Sequence, residues 1–237
     1  MRFYILYFLT LLLSFSFACS SDDSGLLNLG YEPDGIGFIE SIENGDKAAF
    51  EIFLKNQSLI NFKDKAGKTP LMAASAQKNS RFLSSLLQAG ANIKDFDNSK
   101  RTPIHYAIKG SAVENIKILI DQGFDPNWQD NLKRDALSTF ILQKDIENIE
   151  IFNLIVSNTT DLNRRDFESK TPLILAVEMN KTGYAEILIK HKVSPLAKDH
   201  KGKTAFDYAL EQNEKGTIDH HLFEIIRYYT QDIKDKL

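Results

Sequence analysis

Cysteine occurs once in this 237-residue chain, at Cys19. No intrachain disulfide can form, and cysteine-rich metal sites are excluded. The spacings that usually carry chemistry are missing as well. There is no His-x-x-x-His or Cys-x-x-Cys pair of the kind that holds zinc. There is no Gly-x-Ser-x-Gly nucleophile turn and no glycine-rich phosphate loop. The five histidines are His105, His191, His200, His220 and His221. His220 and His221 stand beside Asp219, but adjacent helical residues do not face one another, so the group makes no metal site. An excess of positive charge is missing too: the net charge is −3 and the pI about 6.0. Nothing in the overall charge drives the chain toward nucleic acid. No enzyme constellation, cofactor or metal is expected.

A membrane-spanning run is also lacking. The longest apolar stretch, Phe3 to Leu13, is interrupted at Thr10 and gives way to Ser14-Phe15-Ser16-Phe17-Ala18. It is too short for a span. Behind Met1-Arg2 it reads instead as a secretory signal over residues 1–18. Ser16 and Ala18 are small residues that suit an ordinary signal peptidase, which would release a secreted protein. Cys19 follows directly, however, and then Ser20-Ser21-Asp22-Asp23-Ser24. That arrangement resembles a bacterial lipoprotein signal, in which the cysteine becomes the lipidated first residue. Ser16 departs from the leucine which that pattern prefers. The resemblance implies a chain lipid-anchored in a bacterial cell envelope, facing the periplasm or the cell surface. Residues 19–33 lack helical periodicity and read as a tether.

What is present, and dominates, is an internal repeat. Thr69-Pro70-Leu71 recurs 33 residues on as Thr102-Pro103-Ile104. A degenerate copy, Asp135-Ala136-Leu137, follows, then Thr171-Pro172-Leu173 and Thr204-Ala205-Phe206. An aspartate keeps step upstream at Asp64, Asp97, Asp130, Asp166 and Asp199. Apolar pairs keep step downstream: Leu86-Leu87, Leu119-Ile120, Leu154-Ile155 and Leu188-Ile189. Thr followed by Pro at the first helical position starts a helix. Phe82, Leu83, Leu86 and Leu87 make the apolar stripe of a second helix. A unit this small cannot bury its stripe alone, so neighbours must stack.

The Thr-Pro-Leu element and the 33-residue period resemble the ankyrin repeat. The resemblance implies an all-α solenoid of stacked helix-turn-helix units with hairpin loops. It places a cap over residues 34–63 and repeats at 64–96, 97–129, 130–165, 166–198 and 199–237. It implies a binding scaffold, expected to be monomeric, that holds a protein partner on a concave face of hairpins and first helices. An inhibitor or immunity protein against a secreted enzyme or toxin is the alternative reading. His105 falls at the family's signature position, where it bonds locally. The third repeat has lost Thr and Pro and carries a three-residue insertion around Gln143-Lys144-Asp145. Drift under weak selection and a flexible point in the solenoid both fit.

Two sets of residues are candidates for partner binding. Phe96, Trp128 and Phe167 flank the hairpin aspartates. Aromatics presented at a groove are common interface anchors, although Trp128 could equally pack between hairpins. The residue before each helix start is basic in every copy: Lys68, Arg101, Arg134, Lys170 and Lys203. Stacked in register these form a positive column suited to a partner with an acidic surface. Solubility alone would also explain them.

Overall fold

The computed structural model describes residues 21–144 and 147–236. The signal segment and Cys19 lie outside the described residues, as does part of the insertion in the third repeat. Among the described residues there are helices and no strands. The helices come in successive pairs. The cap pair is α2 (Gly35–Glu43) and α3 (Lys47–Phe53). The first helices of the five repeats are α4 (Pro70–Ala76), α6 (Pro103–Lys109), α8 (Ala136–Ile141), α10 (Pro172–Glu178) and α12 (Ala205–Glu214). Their second helices are α5 (Ser80–Gln88), α7 (Val113–Asp121), α9 (Ile149–Asn158), α11 (Thr182–Lys190) and α13 (His220–Asp235).

The first helices stack on one another in order, and the second helices form a parallel layer behind them. Phe82, Leu83 and Leu86 of α5 are buried between the layers, as are Ile151, Phe152 and Ile155 of α9. The core is therefore continuous along the chain and no unit owns it. At the cap, Phe38, Phe50 and Phe53 pack as a ring cluster that continues into Phe82 of the first repeat, its ring centre 4.7 Å from that of Phe50.

The helix starts follow from the sequence. Thr69 and Thr171 accept backbone N–H bonds from Met72 and Ile174, with Pro in the first turn. Asp135 takes over this task in the degenerate repeat, accepting from Ser138 N at 2.8 Å. The insertion is absorbed between the two helices of that repeat: α8 ends at Ile141 and α9 begins at Ile149, whereas α10 and α11 are separated only by residues 179–181.

One expectation is corrected. Part of the segment read as a tether is docked structure: Ser21–Asn28 is helix α1. Leu26 and Tyr31 are buried, Gly25 lies against Ile52 of α3, and the Tyr31 ring meets Phe53 edge-on at 6.5 Å. Lys55 pairs with Asp22 at 3.3 Å. No periodicity announces α1 because it is only two turns long and buries a single leucine. Helices of that length are held by what they pack against and not by their own pattern.

Candidate interaction face

The hairpins are built around the recurrent aspartates. Each aspartate Oδ1 accepts the backbone N–H two residues on and the one four residues on. For Asp64 these are Ala66 and Lys68, both at 2.8 Å. Asp97, Asp130, Asp166 and Asp199 repeat the pattern at 2.8–2.9 Å. The aspartate's own N–H closes the loop onto the carbonyl of the basic residue, for example Asp64 N to Lys68 O at 3.0 Å. The loop turns through a left-handed residue, Gly67, Lys100, Lys133, Ser169 or Gly202, with φ between +54° and +79°.

Successive hairpins are laced together. Asn98 N donates to Ala66 O, Asn131 N to Ser99 O, Phe167 N to Leu132 O and His200 N to Glu168 O, at 2.9–3.1 Å. Side chains add to this: Asn98 Nδ2 donates to Lys65 O and Asn131 Nδ2 to Asn98 O. The aspartates are thus scaffold residues, and the surface for recognition is left to their neighbours.

The aromatic candidates stand on this edge. Phe96 is 42% exposed and Trp128 37%, and their rings stack with centres 5.2 Å apart. Trp128 Nε1 donates to Lys100 O at 3.0 Å, which fixes the indole. The Lys63 ammonium lies over the Phe96 ring, 5.6 Å from its centre. Phe167 stands apart at 71% exposure, where the preceding repeats carry Asn98 and Asn131. Phe62, by contrast, is partly buried against the core and fills the space above Gly35, where a Cβ would sit 2.1 Å from the ring.

The basic column folds into something different from a row of free charges. Lys68 is paired with Glu43 of the cap. Arg101 is paired with Asp97 at 2.7 Å. Lys170 is buried between Glu178 and Glu168, both at 2.8 Å. Lys203 is paired with Glu211. Arg101 also covers the ring of Tyr106, and Lys170 and Lys203 flank that of Tyr208. Arg134 has no ion pair among the described residues. Burial works against the charge on Asp97, but hydrogen bonds from Arg101 and Tyr106 outweigh it and its pKa lies below the ordinary carboxylate value. Lys170 also pays for burial, yet Glu168 and Glu178 hold its pKa above that of a free lysine. The sequence missed these carboxylates because most lie eight residues or more from their lysines: the fold of a hairpin onto its own first helix brings Glu178 and Glu211 close, and stacking on the cap brings Glu43.

His105 bridges two repeats. Its Nδ1 accepts from Thr102 N at 3.3 Å and its Nε2 donates to Arg134 O at 3.0 Å. Burial lowers its pKa, so the ring is neutral at pH 7. Among the described residues no cluster of His, Cys, Asp or Glu has the form of a metal site. His221 pairs with Glu186 at 3.0 Å.

The geometry is that of a stacked helical-repeat interaction module. Two matches to the family model for ankyrin repeats, over residues 38–130 and 141–230, show that the chain belongs to the ankyrin repeat family. Among curated proteins it is 29% identical over 170 residues to Neurogenic locus notch homolog protein 1 of Xenopus laevis and 30% identical over 171 residues to Neurogenic locus notch homolog protein 2 of Homo sapiens. Each alignment covers 65% of this chain and 7% of the relative. Inversin of Mus musculus is 24% identical over 190 residues, covering 74% of this chain and 16% of the relative. The chain thus spans a small part of the length of these proteins. Ankyrin repeats are in general non-enzymatic modules that bind other proteins, and a protein partner is what the family implies here.

Proposed function

We propose that this chain is an envelope-anchored scaffold that holds a partner protein on the concave face formed by its hairpins and first helices. The observation that carries the reading is the hairpin edge. Phe96 and Phe167 are exposed there on a frame whose backbone is already laced by hydrogen bonds. A preorganised frame loses little entropy on binding, so apolar side chains presented on it convert well into affinity. Anchoring rests on the apolar leader followed by the sole cysteine, Cys19. Acyl chains contribute about 0.8 kcal/mol per buried CH₂, so more than one chain on Cys19 would hold the protein at a membrane.

Two experiments test the two halves separately. A photoreactive residue at Phe96 or Phe167 should crosslink one discrete protein in cells, and the same residue at Lys117 on the layer of second helices should not. Equal capture at both positions would reject the face. Metabolic labelling with a fatty-acid analogue should mark the wild-type chain and not Cys19→Ala. Label that persists in the variant would reject the anchor.

A further inference from the structure

The five-charge column is neutralised at both ends and open in the middle. One position contributes, the seventh residue after each helix start, which is Ala76, Lys109, Leu142, Glu178 and Glu211 in turn. In the fourth and fifth repeats it is a glutamate that reaches back to the lysine of its own hairpin. In the first repeat Glu43 of the cap takes that role. In the second repeat the position holds a lysine, and in the third a leucine. Arg101 is retained by Asp97, but Arg134 and Lys109 have no ion-pair partner among the described residues.

These two cations share a groove of about 340 Å³ between the second and third repeats. Arg134 Nε is fully buried in its wall, and so is the hydroxyl of Thr139; neither has a hydrogen-bond partner among the described residues. Thr139 stands where Tyr106 and Tyr208 stand in the second and fifth repeats. Those tyrosines donate to their hairpin aspartates at 2.9 and 2.6 Å. Leu132, 46% exposed, and the half-buried Leu142 supply apolar surface beside the cations. Asp130 also borders the groove, but its Oδ1 is committed to the backbone of Leu132 and Arg134. Buried donors without partners are costly and rare in native structures. Here one of them belongs to Arg134 itself and the other to Thr139, and both residues line the groove with Lys109.

We infer that this groove is the acid-reading pocket of the scaffold: it takes an aspartate or glutamate side chain of the partner, with a neighbouring apolar side chain seated on Leu132 and Leu142. The inference rests on the proposed scaffold function and narrows it to one subsite. Arg134 and Lys109 supply charge-assisted bonds to the carboxylate, which are about twice as strong as neutral ones. The degenerate third repeat thereby acquires a purpose: Leu142 stands where the fourth and fifth repeats carry the glutamate that pairs with their lysine, and Thr139 stands where Tyr106 and Tyr208 stand.

The test is selection of a random displayed peptide library on the purified full chain, followed by fluorescence anisotropy with the peptides obtained. Peptides should carry carboxylates next to apolar residues. Their affinity should fall roughly tenfold or more in Arg134→Gln and in Lys109→Gln, and should weaken with salt. Lys109 is exposed, so its variant keeps the fold even if Arg134→Gln disturbs it. Lys117→Gln, which breaks an exposed pair on the far layer, should bind as wild type. Peptides without carboxylates, or acidic peptides indifferent to both variants, would overturn the pocket and leave the scaffold reading standing. A library that yields no binder would overturn both.

Discussion

Replacing Asp135 by threonine should stabilise the protein, although it removes a residue that caps a helix. Asp135 is 1% exposed. One of its oxygens caps α8 through Ser138 N, while Oδ2 is buried with no partner among the described residues. Burial raises its pKa, opposed by the bonds from Ser138 and the charge of Arg164. The capping bond survives in Asp135→Thr, because Thr69 and Thr171 make it in the equivalent place. A methyl group then replaces the orphaned oxygen. An unsatisfied buried polar group costs about 1–3 kcal/mol, so the variant should gain about that much at pH 7 in urea unfolding. The sign of the pH dependence follows from the raised pKa. A carboxyl whose folded pKa exceeds its unfolded value of 3.8 favours folding below that value and loses the contribution as pH rises through the folded pKa. The penalty is therefore complete at neutral pH, and the gain of the variant should shrink on acidification. Asp135→Ala, which lacks the cap, should fall about 1 kcal/mol below Asp135→Thr. A threonine variant no more stable than wild type at pH 7, or a gain independent of pH, would refute the reasoning.

Other consequences can be checked the same way. Lys133 sits at φ +54°, where a side chain is strained; Lys133→Gly should stabilise by about 0.5–1 kcal/mol, read as a shift in urea midpoint without a change in slope. His105 is held neutral by burial, so its contribution is complete above the free value of 6.5 and is lost as pH falls below it. Unfolding midpoints measured downward from pH 7 should show that loss in the wild type and a weaker one in His105→Gln. Asn115, fully buried, donates from Nδ2 to the carbonyls of Ala74, Ser75 and Gln77 and so ties α7 to the end of α4. Asn115→Leu should cost about 1–3 kcal/mol, with hydrogen exchange rising first in the first repeat.

The repeat's outline was legible because its causes are local. Thr-Pro pairs start helices through their own first turn, and the apolar stripes of α5 and α13 carry a helical period. The same locality made the hairpin aspartates visible as a series, although their task of holding two backbone N–H groups is seen only in the loop geometry. Helix α1 escaped notice because one buried leucine and one tyrosine have no period to show. Trp128 was ambiguous from its position, and the structure makes it both: stacked on Phe96 and still partly exposed.

Sequence alone determined the register. The 33-residue period set how many units there are, where each helix begins and that a basic residue precedes every start. Only the tertiary structure decided what those basic residues are. A charge is cancelled by whatever carboxylate the fold brings within about 3 Å: Glu178 and Glu211 reach the lysines of their own hairpins, and Glu43 reaches Lys68 from the cap. The column that looks uniform along the chain is therefore closed at Lys68, Lys170 and Lys203, held by Asp97 at Arg101, and left open beside Lys109 at Arg134.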